Sequence, residues 1–187
     1  MADTQEQPPC VLVVMGVSGS GKSTIASMLA HHLHWVYEDG DWFHPKANVE
    51  KMHHGEPLTD EDRWPWLRAM AAWIDDTLRA GGHGIIACSA LKRAYRDILI
   101  GKRQNVRLVF LKGDRELIGR RIAARDDHFM PATLLDSQFA ALEEPAPDEH
   151  PIVVSIAPHP RQIVDAIVKK LDIGATKVAD PRTAPAR

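Results

Sequence analysis

Gly16-Val17-Ser18-Gly19-Ser20-Gly21-Lys22-Ser23 decides the fold of this chain. It follows Val11-Leu12-Val13-Val14-Met15, a continuous apolar run rich in β-branched residues. Such a run reads as a strand buried on both faces of a parallel sheet. It precedes Ser23 to Leu33, which reads as a helix. Strand, glycine-rich turn and helix in that order are the context in which such a segment binds phosphate. The glycines allow backbone conformations closed to other residues, so successive N–H groups can turn inward around an anion. The positive end of the following helix dipole points at the same place. Lys22 is expected to reach the β- and γ-phosphates, and the Ser23 hydroxyl to ligate Mg²⁺.

Working outward, 187 residues favour one domain, and a 44% hydrophobic composition supplies a sizeable core. The formal net charge of −2 gives no global electrostatic case for nucleic acid or an anionic membrane. No apolar run approaches the roughly 20 residues of a membrane span. The polar segment Met1 to Pro9 has no signal-peptide core, so the chain reads as cytoplasmic. Cys10 and Cys88, the two cysteines, are expected at the start of the first strand and the end of a later parallel one, on opposite edges of the sheet. About 16 Å of strand would then separate them, too far for a disulfide.

Further strands are expected at Trp35-Val36-Tyr37, Gly84 to Cys88, Val106 to Leu111 and Ile152 to Ser155. Helices are expected at Trp64 to Leu78, after Ser89, at Pro131 to Leu142 and at Pro160 to Leu171. Alternating strands and helices predict an α/β fold: a three-layer sandwich with a five-stranded parallel sheet and the phosphate loop after the first strand. The domain is read as 10–171, with a substrate-covering insertion at 44–66, a lid at 114–131, and flexible termini at 1–9 and 172–187.

The second strand runs into Glu38-Asp39-Gly40-Asp41, and ligands of open α/β sheets collect at such carboxyl ends. No acid follows the third strand directly, which ends in Cys88-Ser89, so Asp39 and Asp41 become the acids at the phosphates. Asp41 is expected to accept the proton of a substrate hydroxyl, and Asp39 to hold Mg²⁺ through water. Arg121 and Arg125 are four apart and share a helix face, which reads either as an ordinary solvated face or as part of a closing lid that neutralises charge on the transferred group. Arg63, Lys92, Arg93 and Arg96 form a second basic set. They read either as surface partners of nearby acids or as captors of an anionic, carboxylate-bearing substrate. The ten histidines have no cysteines at metal-ligand spacing. His44, beside the insertion, and His128, on the lid, are the candidates among them. Ala157 to Pro160 is a candidate for adenine contact.

Together these motifs resemble the gluconokinases of the short P-loop type, relatives of shikimate and nucleoside monophosphate kinases. The matching segments are Gly16 to Thr24, Asp39-Gly40-Asp41-Trp42-Phe43-His44-Pro45 with Asn48, Gly55-Glu56-Pro57-Leu58-Thr59-Asp60 with Asp62-Arg63, Cys88-Ser89-Ala90-Leu91-Lys92-Arg93, and His128-Phe129-Met130-Pro131 with Ser137-Gln138-Phe139. The resemblance implies ATP- and Mg²⁺-dependent phosphorylation of D-gluconate at its 6-hydroxyl, a homodimer, and a place in carbohydrate acid metabolism. One departure is visible: Asp126-Asp127 precede His128, where the family has Gly before the His. Two other readings stay open: another small-molecule P-loop kinase such as a shikimate kinase, and a non-catalytic nucleotide-binding regulator.

Overall fold

In the computed structural model, residues 8–54, 56–124 and 132–171 are described. The expected termini beyond them, and Arg125, Asp126, Asp127 and His128 of the expected lid, lie outside the described residues. The run before the phosphate loop forms β1 (Cys10–Met15), whose last five residues are buried. It is the middle of a five-stranded, all-parallel sheet in the order β2-β3-β1-β4-β5, with β2 at Val36–Asp39, β3 at His83–Ala87, β4 at Val106–Lys112 and β5 at Ile152–Ser155.

Strand alternation sends successive β1 side chains to opposite faces. Leu12 and Val14 join Ile25, Leu29, Ile163 and Ile167, from helices α1 (Lys22–Leu33) and α7 (Pro160–Leu171). Val11, Val13 and Met15 join Leu67, Met70 and Ile74 of α3 (Asp60–Arg79), with Tyr95 and Leu99 of α4 (Arg93–Leu99). Both faces of the sheet are thus covered, which is why β1 tolerates no polar residue. The remaining helices are α2 (Lys46–His53), α5 (Arg115–Ala123) and α6 (Ala132–Ala141). Among the described residues, no helix is long and apolar enough to cross a membrane.

Two boundaries differ from expectation. β2 extends to Asp39 instead of stopping at Tyr37, because Asp39 still pairs in register with Ala87. α3 begins at Asp60, not Trp64. Thr59 caps it: its side chain accepts from the Asp62 N–H while the Asp62 carboxylate accepts from the Thr59 N–H. Pro65 therefore lies inside the helix. The segment 44–66 is in consequence α2 joined to the first turns of α3. Lys51 pairs with Asp62 at 2.8 Å, and Asn48 Nδ2 donates to the Asp62 carbonyl at 2.8 Å. Cys10 and Cys88 are free thiols; Cys10 aligns with His83, at the far end of β3 from Cys88.

Candidate active site

The loop closes as its glycines require. Gly19 has φ +82°, and a Cβ there would lie 2.7 Å from Ile122 Cγ1, so a side chain would push α5 away. Gly21 precedes α1 with φ +89° and gives no side-chain cap to its first turn. The amides of that turn therefore face the loop, as an anion site needs. Val17 and Ser20 lie buried beneath it, and the Gly16 N–H donates to the Ser89 carbonyl at 3.4 Å. The Lys22 ammonium donates to the Val17 carbonyl at 3.2 Å, which curls the side chain over the loop.

A cleft of about 600 Å³ opens above it, lined by Ser18, Gly19, Gly21, Lys22, Ser23 and Thr24 and, from the end of β2, by Asp39 and Asp41. The structure thus brings the two sequence motifs together. The Ser23 hydroxyl donates to Asp39 Oδ2 at 2.9 Å, the Tyr37 hydroxyl donates to the same oxygen at 2.9 Å, and the Asp41 N–H donates to Asp39 Oδ1 at 3.1 Å. Asp39 is therefore an anchored carboxylate, whereas the Asp41 carboxylate takes no hydrogen bond among the described residues. The Tyr37 phenol is pushed up to about 12 by burial and by its bond to Asp39, so it stays a donor. Burial also pushes the Cys88 thiol up, which makes it an inert wall of the cleft.

Gly40 sits between the two acids in a 3-10 turn (Gly40–Phe43). A Cβ there would be 2.5 Å from the Ala87 carbonyl and 3.0 Å from Met70 Sδ, so no larger residue fits. His44, three residues beyond Asp41, stacks on Trp66 at 4.4 Å and 9°. Burial outweighs the nearby Asp41 and holds the His44 imidazole below the usual histidine range.

Arg63 and Lys92 meet around Asp60 and Tyr95. Lys92 Nζ donates to both Asp60 oxygens at 2.9 and 2.7 Å, Arg63 lies 3.7 Å from Asp60, and the Tyr95 hydroxyl donates to Asp60. The Lys92 bond and then the Tyr95 bond hold the Asp60 carboxyl below its ordinary range, and Lys92 is raised in turn by Asp60. Two cations and one carboxylate give this cluster an excess of positive charge.

Two expectations are corrected. Arg96 does not face a substrate. It is 2% exposed; Nε and Nη2 donate to Glu149 at 2.5 and 3.0 Å, and Nη1 to the carbonyls of Ala90, Leu91 and Glu143. Each of its three guanidinium nitrogens is thus bonded inside the protein. Arg121 is not among the residues that line the cleft with Lys22. Its guanidinium donates to the Ile156 carbonyl, and it lines a smaller cleft of about 340 Å³ with Gly21, Thr24, Pro160 and Ile163. The loop after β5 therefore draws it to the α7 side. Gln138 had no assigned role, yet its Oε1 accepts from the Ser18 N–H at 2.9 Å, tying α6 to the phosphate loop. Its only signal in the sequence was membership of the Ser137-Gln138-Phe139 segment.

The family described as an AAA domain matches residues 11–145. A gluconokinase from Gluconobacter oxydans (strain 621H) is 45% identical over 161 residues, 86% of this chain and 90% of that protein. The crystal structure of a sugar kinase from Janibacter sp. HTCC2649 is 47% identical, with a TM-score of 0.82 over 89% of this chain and 96% of that one. The crystal structure of a gluconokinase from Sinorhizobium meliloti 1021 is 38% identical, with a TM-score of 0.79 over 88% of this chain and 93% of that one. At these identities and this coverage, the chain belongs to the gluconokinase family.

Proposed function

We propose that the protein transfers the γ-phosphoryl group of ATP to the 6-hydroxyl of D-gluconate, giving 6-phospho-D-gluconate and ADP. The observation that carries this reading is the hydrogen bond from Ser23 to Asp39, which places an anchored carboxylate and the open carboxylate of Asp41 on the cleft that holds Lys22. In this reading the amides from Ser18 to Thr24 and the Lys22 ammonium hold the triphosphate. Ser23 and Asp39 hold Mg²⁺: an oxygen pair 2.9 Å apart is the donor set a hard cation takes. Mg²⁺, when bound, offsets phosphate charge. Asp41 orients the 6-hydroxyl and takes its proton. Arg63 and Lys92 recognise the carboxylate of the sugar acid, with Asp60 and Tyr95 fixing their positions, and His44 forms the wall between that cluster and Asp41. The proposal also includes Arg125 and His128. A homodimer and a cytoplasmic location belong to the same reading; sedimentation of the purified chain tests the first.

Ser23→Ala removes one Mg²⁺ oxygen and one of the three donors on Asp39. The Mg²⁺ concentration for half-maximal rate is expected to rise by about 10-fold, the usual scale for losing a ligand or its support. A metal titration of the steady-state rate checks this; an unchanged midpoint would remove Ser23 from the metal site.

The reading itself is tested by ADP release from Mg-ATP with gluconate, shikimate, glycerate or a nucleoside monophosphate as acceptor. Turnover with gluconate alone is expected. Turnover with another acceptor would replace the substrate, and ATP binding without turnover would make the chain a nucleotide-binding regulator.

A further inference from the structure

We propose that Trp66 is a positioning residue for phosphoryl transfer, acting through Asp41; this rests on the reading of Asp41 as the base. Trp66 is 4% exposed, in the second turn of α3. A buried indole N–H needs an acceptor. Here the acceptor is not in α3 or in the sheet. It is the carbonyl of Gly40, 2.6 Å away. The same indole stacks on His44. One side chain therefore holds the residue immediately before Asp41 and the residue three beyond it.

The remaining freedom of the turn is small. The Asp41 N–H is bound to Asp39, the His44 N–H donates to the Asp41 carbonyl at 3.4 Å, and Gly40 is wedged against Ala87 and Met70. The Asp41 carboxylate itself has no hydrogen bond among the described residues, so its aim depends on backbone held from outside. Trp66 also stands three residues from Arg63 on the same helix. Residues three apart share a helix face. The turn that carries the base is thereby tied to the helix that carries the proposed carboxylate contact, and the distance between the two ends of the substrate is set by one rigid side chain.

Trp66→Phe keeps a ring against His44 and removes the N–H. A displacement of about 1 Å in a reacting group costs on the order of 10²-fold, so a 10- to 100-fold lower kcat is expected with the KM for ATP unchanged. In an Asp41→Asn background the same substitution is expected to change kcat by less than about twofold, since residues acting as one unit are not additive. Ile74→Val, two turns along α3 and also fully buried, is the control for lost packing and is expected to leave kcat unchanged. A variant with β-(3-benzothienyl)alanine at position 66 preserves ring shape and replaces N–H by sulfur; it makes the same measurement if Phe leaves the chain unfolded. An unchanged kcat, or an equal loss with and without Asp41, would overturn the assignment. If instead the parent enzyme does not phosphorylate gluconate, or Asp41→Asn alone is active, the function reading fails, which is a separate result.

Discussion

Asp41→Asn is expected to leave ATP bound and to lower kcat with gluconate by about 10²–10⁴-fold, the usual contribution of a positioned general base. Asn has the same shape and keeps the backbone N–H that donates to Asp39. The 3-10 turn and its contacts with Gly40 and His44 should therefore persist. What is lost is the basic oxygen that opens on the cleft beside Lys22. The phosphate loop is built from other residues, so nucleotide affinity should stay within about twofold, as expected when only a transition-state interaction is removed. Calorimetry of ATP binding and steady-state rates separate the two quantities. A near-normal kcat would remove Asp41 from proton transfer, and a loss of ATP binding would show that the substitution disrupts the loop instead.

Arg96→Ala is expected to be the most destabilising single change in the described core. It strands Glu149, whose side chain is 8% exposed, and removes the donor to three carbonyls. Breaking a buried pair by deleting one partner costs about 3–5 kcal/mol, a large share of a typical stability of roughly 5–15 kcal/mol. For a chain of this size that is a fall in Tm of roughly 6–20 °C.

The pH dependence gives a sharper signature. Burial alone would raise the Glu149 carboxyl, but the Arg96 bond and the Ala146 N–H outweigh it and hold it below its usual value. In the parent, this stabilisation is present above the unfolded carboxylate range and is lost as pH falls through the depressed value. In Arg96→Ala, burial acts against the charge, so the variant's deficit should shrink between neutral pH and about pH 4.5. Denaturant unfolding of both proteins at the two pH values checks this. A small deficit independent of pH would mean that Arg96 is solvated in solution.

The reading of the fold from sequence worked where the determinants are local. Val11 to Met15 carries no polar residue because both faces of β1 are covered, and the glycines of the loop follow within a few positions. The end of β2 was less legible. Asp39 looks like a loop residue, yet it keeps sheet pairing because Ser23 and Tyr37 supply donors for its charge. The helix expected from Trp64 starts one turn earlier, at Asp60. Both Pro65 and Glu61, whose carbonyl loses a donor, lie at the exposed side of α3, and the Thr59 cap fixes the earlier start.

At the site, Lys22, Ser23, Asp39 and Asp41 were readable as two short motifs whose convergence the parallel topology enforces. Arg96 was misread because four-residue spacing from Lys92 suggests a shared face. In the structure Lys92 is the N-cap residue of α4 and its side chain turns to Asp60, while Arg96 turns inward to Glu149, 53 residues later. No pattern in sequence announces a pair at that separation. The same holds for Gln138 and Ser18, which are 120 residues apart, and for the Trp66 indole, whose acceptor is a backbone atom and so leaves no trace in residue identity.

The most direct measurement is the identity of the product. Purified protein, Mg-ATP and D-gluconate should yield, by ³¹P and ¹³C NMR, one ADP for each new phosphomonoester, with the ester carbon assigned to C6. ADP accompanied only by inorganic phosphate, or an ester at any other carbon, would contradict the placement of Asp41 against the 6-hydroxyl.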